Sequence, residues 1–255
     1  MNAVYLFFQT TGELIALFLE SMYWSKAAVR NRDKVFAHMV EIGNKTLPVA
    51  ALISLFIGGV IALQSGPQLA QYGIQENLGG IIGLSLVKEL GPVMGSILIA
   101  GRVGSAMTAE IGSMSVYDEI DALRTMDINP VRYLVMPRLL AAIIALPLLV
   151  IYMDVIGWLG GAIVASTNPS INVSFQIYYN NLSSLVEFKD VINGLVKSLV
   201  FGIIITTVCC YIGLRTRGGP REIGTAVTRA VVLSFVLILV SDYLMTSALL
   251  SLGLG

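Results

Sequence analysis

Five stretches of this chain, roughly 47–66, 79–106, 135–165, 190–214 and 223–250, stay apolar long enough to cross the hydrocarbon core of a bilayer, which takes about 20 residues of helix. Inside lipid every backbone N–H and C=O must pair within its own segment, so stretches of this kind fold as helices. Composition agrees: 56% of the residues are hydrophobic and 13% charged, against about 25% charged in soluble domains. The expected fold is an all-α integral membrane protein. The third stretch is long enough to tilt or to extend beyond the membrane. No internal repeat or low-complexity segment interrupts the pattern, so residues 1–255 read as one domain, with a five-span bundle over 47–250. Sixteen basic residues balance sixteen acidic ones, so net charge points to no nucleic-acid partner.

Residues 3–29 differ from the five spans. At 100° per residue Gln9, Glu13 and Glu20 share a narrow stripe, flanked by Ala16 and Ala27, and the remaining surface is Leu, Phe, Ile, Met, Tyr and Trp. This is the pattern of an amphipathic helix lying in the interface plane; the competing reading is a sixth, poor span. The stretch has neither a basic leading segment nor a small-residue cleavage site, so no cleavable signal is expected. Basic residues set the orientation. Lys26, Arg30, Arg32, Lys34 and Lys45 precede the first span, Arg124, Arg132 and Arg138 lie between the second and third, and Arg215, Arg217 and Arg221 lie between the fourth and fifth. The other two loops contain only Lys189. The positive-inside rule then places the N-terminus in the cytoplasm and the C-terminus outside.

The longest cytoplasmic connection reads "GSMSVYDEIDALRTMDINPVRYLVMPR". Ser115 with Asp118 resembles a capping box, and Pro130 forbids a helix past Asn129. Between them Val116, Ile120 and Leu123 repeat at helical spacing, while Asp118, Glu119 and Asp121 carry negative charge. A short amphipathic helix with an acidic head is predicted. It is either a solvated link or a coupling helix seated in a groove of an ATPase.

Ionisable groups within spans are costly and mark function by default. Here they are Lys88, Glu89, Arg102, Glu110, Asp154, Lys197, Arg229 and Asp242. Counted from the outer end of each span, Glu89, Asp154, Lys197 and Asp242 lie roughly 10 to 16 Å deep. Four spans thus put charge in one layer, where Lys88 and Lys197 balance Glu89 and Asp242. That layer is either an ion-pair network that fixes helix register or the polar gate of an outward cavity, suited to an amphiphile with a headgroup. Arg102, Glu110 and Arg229 lie nearer the cytoplasmic ends, where long side chains reach water. Gly91, Gly95, Gly101 and Gly104 let helices approach closely, and Pro92 is expected to bend the second span.

Other chemistries lack their parts. There is no P-loop sequence for a nucleotide, one histidine (His38), and no pattern of metal ligands. Cys209 and Cys210 are adjacent in an apolar run and read as inert buried thiols. No catalytic residue is proposed.

The segments "LVKELGPVMGSILIAGRVGSAMTAEIGSM" and "DEIDALRTMDINPVRYLVMPRLLAAIIALPLL" resemble the MlaE family of permeases, the membrane subunits of MCE-type lipid-transport ABC systems. The likeness is close over roughly 80–150 and looser elsewhere; Asn129 stands where the family often has Asp. It implies an ABC permease domain working as a homodimer in a bacterial inner membrane. It also implies an interfacial first helix and a coupling helix that docks on a cytoplasmic ATPase, the chain that would bind ATP and Mg. An MCE-domain protein on the outer face, often a STAS-domain protein on the ATPase, and phospholipid as cargo complete the picture. By position Lys88, Glu89, Lys197 and Asp242 are similar to the family's intramembrane charges. Leu69 and Tyr72, after a break expected at Gly66–Pro67, resemble residues lining its lipid pocket. Two rival readings remain at this point: an ion-coupled transporter or channel using the buried charges as a relay, and a membrane scaffold without transport.

Overall fold

The computed structural model describes residues 3–253; the side chains of residues 3, 4, 6, 7 and 27–30, including Ala27 of the N-terminal stripe and Arg30, lie outside that description. Among the described residues the chain is helical with no strand. Its elements are α1 (Ala3–Tyr23), a 3-10 segment (Trp24–Asn31), α2 (Arg32–Asn44), α3 (Leu47–Gln71), α4 (Gln75–Val116), α5 (Glu119–Thr125), α6 (Val131–Thr167), α7 (Phe175–Leu185), α8 (Phe188–Arg215) and α9 (Pro220–Ser251). Five of these, α3, α4, α6, α8 and α9, are long and apolar enough to span a membrane; α1 is not among them.

Two boundaries depart from the sequence expectation. The second span runs to Val116, some ten residues past the expected end, because its last three turns pack as helix against protein. The break expected at Gly66–Pro67 does not occur: α3 continues through Pro67 to Gln71. Gly66 fits there because it faces Ile171, whose side chain would lie 2.4 Å from an added Cβ.

Two of the spans are not uniform α-helix. Residues Leu86–Leu90 and Ala100–Gly104 of α4, and Val131–Val135 at the start of α6, are π turns with i to i+5 hydrogen bonds such as Gly91 N–H to Leu86 O. Each carries charge: Lys88 and Glu89 in the first, Arg102 in the second, Arg132 in the third. Such turns gather at functional positions in helices. The bend expected at Pro92 is therefore a wide turn just ahead of the proline, which occupies the second position of regular helix after it.

The helices group into two compact units, one of residues up to 42, 96–145 and 199–241, the other of 43–95, 146–198 and 242 onward. Four spans contribute a segment to each. The second unit is centred on Ala62, Leu78, Ile82, Leu86, Ala162, Ala165 and Tyr178. In it α3 and α6 touch backbone to backbone, since an added Cβ on Gly58 would meet Gly157 O at 1.9 Å. The first unit is built around Ile111, Ile120, Leu134, Val135 and Cys210. Cys209 and Cys210 are both free and buried.

Candidate functional site

Within the second unit Lys197 is the centre of the charged layer. Its side chain is 2% exposed, and its ammonium meets Glu89 Oε1 at 2.8 Å, Asp242 Oδ1 at 3.0 Å, Thr246 Oγ1 at 2.7 Å and the carbonyl of Lys88 at 3.0 Å. Four acceptors share three N–H groups, so none is left over. Local sequence explains each arm. Lys88 O would bond residue 92 in an α-helix, but Pro92 has no N–H, and the carbonyl turns to Lys197 instead. Gly194, one turn before Lys197, lets α8 reach the π turn, as an added Cβ would sit 2.2 Å from Val87 O. Thr246 lies one turn beyond Asp242 on α9, accepts from Lys197, and donates to Glu89 Oε1 at 3.0 Å.

Lys88 and Glu89, neighbours in sequence, do not pair with each other. Lys88 Nζ lies 3.1 Å from Asp190 Oδ1, and Asp190 is buried at the first turn of α8. The balance of Lys88 and Lys197 against Glu89 and Asp242 is thus replaced by two groups, Lys197 with Glu89 and Asp242, and Lys88 with Asp190. Asp154 joins neither. It is buried, its Oδ1 has no hydrogen-bond partner among the described residues, and it fills the space left by Gly91, where a Cβ would come within 2.1 Å of it. Gly95 packs on Val150 and Met153, while Leu69 lies against the second unit's core and Tyr72 is 80% exposed.

Sequence reasoning missed Asp190 and Thr246. Both were within reach, since Asp190 is seven residues from Lys197 and Thr246 four from Asp242, spacings that put side chains on one helix face. Charge depth alone did not find them because Asp190 sits at a span's end and threonine carries no charge.

The first unit holds the predicted short amphipathic helix as α5. Ile120 is 4% exposed in the core, with Leu123 packed against the same cluster, while Asp118, Glu119 and Asp121 are exposed. The expected capping box is absent. Ser115 still belongs to α4 and donates to Leu214 O at 3.3 Å, and Asp118 makes no side-chain cap. Instead two aspartates in the left-handed region bound α5: Asp118 at φ 60° and Asp127 at φ 57°. At the far end Asp127 N–H reaches Arg124 O at 3.0 Å and Ile128 N–H reaches Leu123 O at 2.9 Å, a Schellman closure with Asp where Gly is usual. A cavity of about 260 Å³ opens beside α5, lined in part by Asp118, Asp121, Arg124 and Arg217.

Glu110 pairs with Arg138 at 2.7 Å, and Arg138, counted from sequence only as a loop cation, is 2% exposed. Arg229 lines a second cavity of about 520 Å³ with Tyr211, Arg215 and Arg217. Gly104 faces Cys209 Sγ closely, whereas Gly101 meets only the Phe235 ring, at 3.9 Å. On α1 Glu13 and Glu20 of the polar stripe bond to the rest of the unit, while Gln9 is exposed and bonds Glu13. Glu13 Oε2 bonds Arg215 at 2.8 Å and accepts from the Tyr211 hydroxyl, and Glu20 Oε1 accepts from Asn129. The Tyr211 hydrogen bond in particular holds the Glu13 carboxyl below its ordinary range. The exposed side of α1 is instead apolar, with Tyr5, Phe8, Ile15 and Leu19.

These features define a multi-pass helical membrane protein with a lysine-centred polar knot inside its spans and a short amphipathic helix on the connection between the second and third. Residues 35–248 match the family model described as Permease MlaE, and the chain belongs to the MlaE permease family. A probable ABC transporter permease protein of Rickettsia typhi is 41% identical over 84% of this chain and 82% of its own. The intermembrane phospholipid transport system permease protein MlaE of Haemophilus influenzae is 32% identical over 84% and 82%. The chloroplastic protein trigalactosyldiacylglycerol 1 of Arabidopsis thaliana is 34% identical over 80% of this chain and 58% of its own.

Proposed function

We propose that this chain is the permease subunit of an ATP-driven phospholipid transporter and acts as a homodimer in a bacterial inner membrane. The observation that carries the reading is the Lys197 knot in a chain of this family: a polar centre inside apolar helices, assembled from three spans. An amphiphile needs both environments, apolar walls for its tails and polar groups where its headgroup passes. Glu89, with its side chain 40% exposed, is the member a headgroup can reach, whereas Lys197 is spent on its four partners. An outward lipid cavity in the homodimer is part of the proposal, with Leu69 and Tyr72 on its tail side. The chain is a transport subunit and performs no catalysis. ATP and Mg belong to a separate cytoplasmic ATPase, which α5 engages through Asp118, Glu119 and Asp121. An MCE-domain protein on the outer face hands the lipid on, and a STAS-domain protein accompanies the ATPase. The N-terminus is cytoplasmic and the C-terminus periplasmic.

A mild-detergent pull-down of the tagged chain, with mass spectrometry of proteins and lipids, tests this. An ATPase and an MCE-domain protein in near-equal amounts, with bound phospholipid, is the expected result. Recovery of the chain without an ATPase would refute the reading and bring forward an ion-coupled transporter using the same charges.

A further inference from the structure

The proposed function gives α1 no task, yet two residues of its polar stripe, Glu13 and Glu20, bond to other elements of the first unit. Glu13, Leu17 and Glu20 fall on one face at i, i+4 and i+7. Glu13 holds the end of α8 through Arg215 and Tyr211. Leu17 packs on the cluster of Ile111, Ile120, Leu134 and Val135, the same cluster that seats α5 through Ile120. Glu20 Oε1 accepts from Asn129 Nδ2 at 3.0 Å, and just beyond it the Arg132 guanidinium lies over the Trp24 ring at 5.2 Å.

Asn129 is used at both ends of its carboxamide. Its Oδ1 accepts from the N–H groups of Val131 at 2.8 Å and Arg132 at 3.2 Å, capping the π turn that opens α6. Its Nδ2 is then free to reach α1. Only two residues, Asp127 and Ile128, separate it from the end-cap of α5, and both are tied back to α5 by the Schellman bonds. The path from α5 to Asn129 therefore has no slack, and a tilt of α5 must move Asn129.

We propose that Glu20 and Asn129 are positioning residues that latch α1 to the α5–α6 connection, making α1 a further wall of the coupling-helix seat, beside α4, α6 and α8, through which motion of α5 reaches the end of α8. The inference rests on the permease reading and adds a role for α1 to it. It has a sharp chemical test. Aspartate at 129 keeps the acceptor that caps Val131 and Arg132 but has no donor for Glu20 and sets two carboxylates against each other. Glutamine at 20 restores a donor, with the hydrogen bond running the opposite way.

The experiment uses the whole complex in proteoliposomes of phosphatidylethanolamine and phosphatidylglycerol, reading ATP hydrolysed per lipid moved, alongside complex recovery. Asn129→Asp is expected to lower lipid moved per ATP on the order of fivefold with the complex still assembled, and Asn129→Asp with Glu20→Gln to recover most of it. A merely structural bond would lower complex recovery and leave that ratio unchanged. Wild-type coupling in Asn129→Asp, or no recovery in the double variant, would overturn the latch while leaving the permease reading intact. A wild-type chain that binds no ATPase and moves no lipid would overturn both.

Discussion

Lys197 shows why a buried cation is more exposed to loss than to gain. Its partners Glu89 and Asp242 are arranged around it, and removing the ammonium leaves carboxylates facing each other in low dielectric. Lys197→Met is expected to cost about 3 kcal/mol, read as a lowered thermal midpoint in detergent. The triple change with Glu89→Gln and Asp242→Asn should recover much of that; a triple variant no more stable than Lys197→Met would show that the pairing is not the cause. The same argument separates two lysines that sequence had placed in one balance. Lys88→Met should be rescued by Asp190→Asn and not by Glu89→Gln, since the ion pair of Lys88 is with Asp190. Gly91→Ala would drive a methyl into the Asp154 carboxyl and is expected to destabilise by about 1–3 kcal/mol. Gly219→Ala, where nothing lies within 4 Å, is the control for glycine loss alone.

At the scale of the element, α5 is a seven-residue helix made rigid by its ends rather than by its length. A left-handed non-glycine residue costs on the order of 1 kcal/mol, and α5 has one at either side. Asp127→Gly should therefore raise stability by about that amount, while any other L-residue there should not; an unchanged midpoint for the glycine variant would count against strain at this turn. Reversing charge with Asp118→Lys and Glu119→Lys leaves the buried side of α5, Ile120 and Leu123, untouched. It is expected to weaken association with the ATPase without lowering insertion, measured by co-purification, and full recovery of the ATPase would contradict the docking role proposed for α5. The end-caps were illegible in the sequence because glycine is the usual sign of a left-handed cap and aspartate is not. The spans themselves were legible to within a few residues at most ends, since hydropathy reports lipid contact directly. It fails at the end of α4, where the helix runs on to Val116 packed against protein beyond the apolar stretch.

For the whole molecule, sequence placed charges by depth along each span, and depth is one coordinate out of three. It brought Glu89, Lys197 and Asp242 to one layer but could not say that Asp154 stays apart from them, because that depends on which way each helix is turned. The partners of Glu13 and Glu20 on α1 were illegible for a related reason: a carboxylate reads the same in sequence whether it meets water or an arginine. Acid sensitivity belongs at this scale as well. Burial, then the nearby Arg138 guanidinium, hold His38 below its ordinary value of 6.5. Between 6.5 and that lower value the unfolded chain binds more protons than the folded one, so stability falls as pH drops through this window. The thermal midpoint should decline on acidification below about pH 6.5, and less so in His38→Gln; parallel profiles for the two proteins would refute it.

The π turn at Leu86–Leu90 has a consequence for how the second span tolerates change. A π turn is an α-helix that has taken in one residue too many. Deleting a single residue there would let the turn relax to ordinary helix, with the apolar length hardly altered. Because the π turn takes up its extra residue locally, the helix on either side would keep nearly the same rotation and height. The change would fall within the turn itself, on the Lys88 carbonyl and Glu89 that it presents to Lys197. The span can lose a residue and remain a span, inserted and helical, while the centre it carries comes apart.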